Sequence, residues 1–294
     1  MSKTTHYCEP MDANIVTYFA SVRLRELGLP TTLEIPSGTA VSVAVSAMAS
    51  AGQSGAVVGD DSQVIGIFTE RDITTKVAGA PDRWDRPIDE FMTPDPLMIS
   101  GGETAIEALH LLNSNSIRNL PVLDDAGSYS ATLTHYDLIR LASSYLRSHD
   151  DRGHDLTPEA SLNFIDLTGI QSSEALQIQA DATVADAIAM MVDAGTGLVS
   201  VVNERGNVVG EFTEHDVFTK LACRITDLGD EIVGDWSTNV IAGALPTTSV
   251  ADGIHLMAEL GHRYLVLLNE NDQALGVITF RDVADYFEAA LQVT

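Results

Sequence analysis

Cysteine and lysine are nearly missing from this 294-residue chain. Two cysteines, Cys8 and Cys223, cannot build a disulfide framework, and they show neither a CxxC spacing nor a metal-ligand pattern. They read as unrelated thiols of a reducing compartment. Lysine occurs only at Lys3, Lys76 and Lys220, and the 16 Lys and Arg face 42 Asp and Glu, a formal charge of −26. No cluster of five basic residues exists to follow a phosphate backbone, which argues against nucleic acid or an anionic membrane as partner. No apolar run approaches the roughly 20 residues that span a bilayer. MSKTTHYCEP lacks the basic-then-apolar order of a secretory signal, so a cytoplasmic location is expected. GxSxG, GxxxxGK[ST] and HExxH are all missing, and with them the usual catalytic constellations; the expectation is a protein that is not an enzyme. His149, Asp150, Asp151, His154 and Asp155 crowd one short stretch, which reads as solvated linker rather than a metal site.

What is present is a core-forming composition. Apolar residues make up 45% of the chain, too many for disorder, and the length suits about two domains of ~150 residues. So acidic a surface, with so little lysine, suits solution conditions in which salt screens self-repulsion; a salt-adapted host and an ordinary acidic cytosolic protein both fit.

An internal repeat organises everything else. Four apolar strands each run into Thr-x-x-Asp: GIFTERD, ATLTHYD, GEFTEHD and GVITFRD, with threonines at Thr69, Thr134, Thr213 and Thr279 and aspartates at Asp72, Asp137, Asp216 and Asp282. The longest gap is the middle one, so the units pair first with second and third with fourth. Before each motif lies a helix with an apolar stripe, such as Val184, Ala187, Ile188, Met191 in the third unit. Three of these helices open with a capping pattern, Thr104 to Glu107, Thr183 to Asp186 and Ser249 to Asp252. Each unit thus reads strand–helix–strand–strand–helix, and about 60 residues bury too little surface to stand alone. The predicted organisation is a leading helix over 1–30, a first module over 31–145 (units 31–83 and 84–145), a polar linker over 146–163, and a second module over 164–294 (units 164–230 and 231–294). Residues 14–29 should form the leading helix and pack on the first module.

Four such motifs in register resemble a tandem of four CBS motifs, that is, two CBS-pair (Bateman) modules. The resemblance covers about residues 30–292 and is carried most specifically by GIFTERDI, FMTPDPLMIS, IRNLPVLDD and GVITFRDV. It implies an α+β fold of four β-α-β-β-α units in two pseudo-two-fold modules, packed as a disc within one chain or through a homodimer. It also implies adenine-nucleotide binding (AMP, ADP or ATP) in clefts between repeats, with no catalytic cofactor, and a signal passed to a regulated protein partner. The motif Thr and Asp at all four positions would contact phosphate and ribose. An Asp carboxylate can accept hydrogen bonds from both vicinal ribose hydroxyls, and a threonine at a helix start can donate to phosphate. Arg118 and His262-Arg263 precede the second strand of the even units and are expected to face phosphates. The small residues Ser54-Gly55-Ala56 and Gly195-Thr196-Gly197 hold the equivalent places in the odd units and would let a base approach. Arg71, His135, His215 and Arg281 inside the motifs are expected on the solvent side. Glu211 adds a negative charge near a phosphate position, and with the other departures it points to one or two occupied sites per module, with repeats 1 and 4 the best matched. Two alternatives share these residues: a dimerising scaffold with degenerate sites, and a regulator that takes Mg2+ or Mg-nucleotide.

Overall fold

A computed structural model describes residues 12–31, 33–60, 63–150 and 162–291. Helix α1 (Asp12–Ser21) leads the chain. Unit 1 follows as β1 (Glu34–Pro36), α2 (Val41–Ala51), β2 (Gly55–Asp60), β3 (Gln63–Thr69) and α3 (Glu70–Asp72), which continues into a π-helical turn at Ile73–Val77. Unit 2 comprises β4 (Thr93–Pro94), β5 (Ile99–Ser100), α4 (Ala105–Ser114), β6 (Asn119–Leu123), β7 (Tyr129–Thr134) and α5 (His135–Asp150). Unit 3 comprises β8 (Gln177–Gln179), α6 (Val184–Ala194), β9 (Leu198–Val202), β10 (Val208–Thr213) and α7 (Glu214–Asp216), with a second π turn at Val217–Leu221. Unit 4 comprises α8 (Val233–Trp236), β11 (Gly243–Ala244), α9 (Val250–Leu260), β12 (Tyr264–Leu268), β13 (Ala274–Thr279) and α10 (Phe280–Leu291).

Each unit owns a small sheet built on the same three-strand plan, to which β4 from the start of unit 2 adds a fourth strand beside β3 in unit 1. A short parallel pair is joined through the crossover helix, and an antiparallel hairpin follows. All four hairpins carry a register irregularity near the turn, for example between Val122 and Leu123 and between Leu267 and Leu268. The turns are stapled by a carboxylate or amide: Asp124 Oδ1 accepts from the Ala126 and Ser128 N–H groups, and Asn269 Oδ1 from Asn271 and Gln273. Crossover helices start at the hydroxyls that the sequence marks. Thr104 and Glu107 form a full reciprocal capping box, whereas at Thr183 and Ser249 the aspartate accepts the hydroxyl proton and its own N–H returns to the hydroxyl.

The two modules meet like with like. Units 2 and 4 share one core, in which Leu109, Leu112, Leu120 and Leu138 pack with Ile254, Met257, Leu265 and Phe280, and α5 lies along α9. Units 1 and 3 meet through their π turns, and Phe218 and Ala222 of unit 3 enter the core of Met48, Phe68, Ile73 and Val77. Fully burying a Leu, Ile or Phe contributes about 1.5–3 kcal/mol, so the even-unit core is the main weld between modules. The four units therefore close around one centre within a single chain.

Three expectations need revision here. The leading helix stops at Ser21, is followed by a 3-10 turn at Leu24–Glu26, and packs on α4 and α10, touching both modules rather than only the first. Helix α5 extends to Asp150, so the first residues of the expected linker are helical, and 151–161 lie outside the described residues, as does Cys8. The final helix expected in each unit is, after the first motif, one turn of α-helix and a π turn, repeated in unit 3 and not in units 2 and 4.

Candidate functional site

At the centre lies a cavity of about 610 Å³ that all four units line. Of the predicted residues, Thr69, Asp72, Arg118, Thr134, Thr213, Asp216, His262 and Arg263 reach it; Asp137, Thr279 and Asp282 are not among its lining. Its size is that of a small-molecule site.

Every Thr-x-x-Asp closes on itself at the start of the helix that follows, and in repeats 1, 3 and 4 the threonine hydroxyl also caps the helix by accepting from the aspartate N–H. In each copy one carboxylate oxygen accepts from the threonine N–H and hydroxyl, at 2.6–3.0 Å. The second oxygen divides the copies into two kinds. In the odd units it is committed: Asp72 Oδ1 takes Lys76 Nζ at 2.7 Å, and Asp216 Oδ1 takes Lys220 Nζ at 2.7 Å and the Thr238 hydroxyl at 3.0 Å. The same lysines donate to the Phe91 and Trp236 carbonyls and so tie each odd motif to the segment that starts the next unit. Asp72 and Asp216 are buried. In the even units Asp137 and Asp282 are half-buried, and among the described residues no group bonds their second oxygen.

Two of the three arginines at the cavity are already paired. Arg118 donates to Glu214, and Arg263 lies 3.5 Å from Glu214 and 3.6 Å from Glu70. His215 Nδ1 stands 3.5 Å from Glu70 Oε2. Burial pushes the Glu70 carboxyl up, but His215, Arg263 and Arg118 outweigh it and hold Glu70 below the ordinary glutamate range. Burial and the neighbouring Arg263 bring Arg118 down to about 10, against the pull of Glu214.

Of the motif side chains expected on the solvent side, Arg71, His215 and Arg281 are exposed and His135 is not. His135 is buried, not solvent-facing; its Nε2 meets Asn113 Oδ1 at 3.1 Å, and burial together with Arg263, Arg118 and Arg281 lowers it to about 4. His215 is raised by its contact with Glu70 despite partial burial. Arg71 lines the cavity. Glu211 is buried, accepts from the Ala242 N–H at 2.8 Å and the Tyr264 hydroxyl at 3.1 Å, and is lifted by burial to about 7, so it is a weaker anion than its sequence position implied. Burial lowers His262. Gly197 does leave room, but for the chain itself: a Cβ there would fall 2.6 Å from Glu214 Oε2 and 3.1 Å from Arg118 Nη1. Gly55 is opposed in the same way by Asn119 Oδ1 at 3.3 Å.

Sequence reasoning passed over Glu70, Glu214, Lys76 and Lys220. A signal for them was available. The odd motifs read Thr-Glu-x-Asp followed by Lys four residues after the aspartate, and the even motifs have neither feature.

The CBS-domain family model matches residues 30–79, 88–144, 168–223 and 233–289, one match on each unit. The chain belongs to the CBS-domain family. Among curated CBS relatives, the gamma-3 subunit of 5'-AMP-activated protein kinase from Bos taurus is 29% identical over 195 residues, 63% of this chain and 38% of that protein. Inosine-5'-monophosphate dehydrogenase of Mycobacterium tuberculosis is 28% identical over 204 residues, 67% of this chain and 36% of the enzyme. The chain thus spans less than two fifths of the length of either. A crystal structure from Methanocaldococcus jannaschii, proposed as an archaeal homolog of g-AMPK, superposes with a TM-score of 0.76 at 17% identity, covering 90% of this chain and all of that one. That likeness establishes the four-unit CBS fold. Among the described residues no helix is long and apolar enough to cross a membrane, and no group of three or more His, Cys, Asp or Glu is arranged to hold a metal ion.

Proposed function

We propose that this chain is a non-catalytic regulatory protein that binds an adenine nucleotide at the central cavity and passes its occupancy to a protein partner. The observation that carries this reading is the cavity itself. Thr69, Thr134, Thr213, His262, Arg118 and Arg263, from four units and both modules, converge on one space of about 610 Å³. A ligand there touches residues of all four units at once, and it can shift the arrangement by as much as its affinity differs between two arrangements. Asp137 and Asp282 are half-buried and lie outside the cavity lining, so a nucleotide with its phosphate in the cavity extends beyond it to place ribose hydroxyls on their second oxygens, and Asp72 and Asp216 serve first as caps and lysine partners. The name of the kinase gamma-subunit relatives, AMP-activated, supports the ligand class. Magnesium enters as the counter-ion of a nucleotide. The disc closes within one chain, so a homodimer is an added level of assembly rather than a condition for completing the cavity.

Isothermal titration of AMP, ADP and ATP against the wild type, Asp282→Ala and Asp137→Ala tests the reading. Saturable binding to the wild type, weakened about tenfold or more in at least one variant, supports it, since a charge-assisted hydrogen bond is worth roughly 1.5–3 kcal/mol and 1.4 kcal/mol is one decade. One observation favours a second reading, a scaffold with degenerate sites: Arg118 and Arg263 at the cavity already hold carboxylates of the chain. No nucleotide binding to the folded wild type would select it.

A further inference from the structure

Two glutamates at the centre of the molecule are not among the residues expected to grip a nucleotide. Glu214 and Glu70 each follow the threonine of an odd motif, and their side chains are 2% and 10% exposed. They come from different modules and converge on the two arginines expected to hold phosphate. Arg118, from the first module, donates to Glu214 of the second, and Arg263, from the second, reaches both Glu214 and Glu70. Even units have His135 and Phe280 at the same motif position. Burying a carboxylate costs several kcal/mol unless a partner offsets it, so the position is built around the pairing. Gly197 fits that account, since any side chain there would collide with the Glu214–Arg118 pair. The network is also incomplete: Glu70 Oε2 is buried without a hydrogen bond, although His215 Nδ1 stands 3.5 Å away.

We propose that Glu70 and Glu214 are tethered carboxylates that occupy the phosphate position and thereby restrict the anionic ligand of this cavity to a single phosphate group. The proposal rests on the nucleotide reading above and specifies its ligand. Charge at the cavity sets the limit. Three arginines, Arg71, Arg118 and Arg263, line it with Glu70 and Glu214, while Asp72 and Asp216 are matched by Lys76 and Lys220. Two arginine charges are thus answered from within the chain, and a surplus of at most one remains, reduced further by the ionised fraction of Glu211, which also lines the cavity. A monophosphate, which carries about −1.5 to −2 near pH 7, exceeds that surplus least among the nucleotide phosphates. A triphosphate brings further negative charge against two fixed carboxylates in a partly desolvated space, where like charges repel strongly.

The test pairs nucleotides with a probe that has no nucleoside. AMP, ATP and inorganic pyrophosphate are titrated calorimetrically against the wild type, Glu214→Gln and Glu70→Gln, with each melting temperature recorded with and without pyrophosphate. The glutamines keep the shape and remove the charge. The expected result is a wild type that binds AMP at least tenfold more tightly than ATP and shows no heat with pyrophosphate. In Glu214→Gln the AMP-to-ATP affinity ratio falls at least tenfold, and pyrophosphate both binds and raises the melting temperature. Glu70→Gln shifts the same way by a smaller factor, because its arginine contact is longer, and it carries the test if Glu214→Gln does not fold. An unchanged ratio with no pyrophosphate binding in a folded variant overturns the proposal, as does a wild type that prefers ATP. Pyrophosphate binding gained by a variant while no protein binds any nucleotide would sustain the tethered carboxylates and refute the nucleotide reading.

Discussion

Replacing Glu211 with glutamine should make the protein more stable at alkaline pH and change it little in acid. Glu211 lies on β10, 1% exposed, with one oxygen on the Ala242 N–H and the other on the Tyr264 hydroxyl. Those bonds favour the carboxylate, but burial outweighs them and Asp216 adds repulsion, so the carboxyl titrates at about 7 in the fold against an ordinary value of 4.5. A folded-state value above the unfolded one means that the fold holds its proton longer. The contribution is complete below the unfolded value of 4.5 and is lost as pH rises through about 7. A displacement of this size corresponds to roughly 3 kcal/mol at 1.36 kcal/mol per pH unit, as an upper figure. Glutamine is neutral at every pH, accepts the Ala242 N–H through its carbonyl, and can turn its amide toward the Tyr264 oxygen. Urea unfolding of both proteins at pH 5, 6, 7 and 8 should show the variant near the wild type at pH 5 and ahead by about 1–3 kcal/mol at pH 8, with similar slopes. A gap that fails to widen between pH 5 and 8, or a variant less stable throughout, would refute the assignment of a protonated Glu211.

The neighbouring titration runs in the opposite sense. His135 is lowered to about 4, so its contribution is present above the unfolded value of 6.5 and lost as pH falls toward 4; His135→Gln should flatten the acid limb of the stability profile, and an unaltered limb would disprove it. Asp72→Ala removes a cap and strands the lysine that ties β3 to the next unit, so it should destabilise the fold by about 2–4 kcal/mol, whereas Asp282→Ala should cost about 1 kcal/mol, the value of a cap, as read by thermal melts. At −26 the chain repels itself, and its melting temperature should rise from low to molar NaCl as the screening length shrinks from about 30 Å to 3 Å; a flat profile would contradict this.

The fold was legible because its signals are local and recur four times. Alternation of strand and capped helix, turn residues after each β6-like strand, and the spacing of the threonines give the units and their pairing. How the pairs meet was not legible in the same way, because the even-unit core joins Leu138 to Ile254 and Met257 across more than a hundred residues of chain, and each of those reads only as one apolar position on its own helix. The site was half legible. Arg118, His262 and Arg263 were placed at the cavity by their position before β6 and β12. Their partners were not, because Glu70 and Glu214 sit in the variable places of the motif, where an acid on a short helix reads as solvated. Burial reverses that reading: what decides the role of Glu214 is an arginine 96 positions away. His135 was misjudged for the same reason, since its neutral, buried state depends on Asn113 and on three arginines, one from unit 2 and two from unit 4.

The central claim is that this four-unit ring binds an adenine nucleotide where its modules meet. A crystal structure of the chain grown with AMP tests it most directly. The account predicts one AMP phosphate within the cavity lined by Arg71, Arg118 and Arg263, ribose hydroxyls on Asp137 or Asp282, and a lengthened Arg118–Glu214 contact. A cavity free of nucleotide at saturating AMP, or AMP bound away from both the cavity and the even motifs, would contradict it.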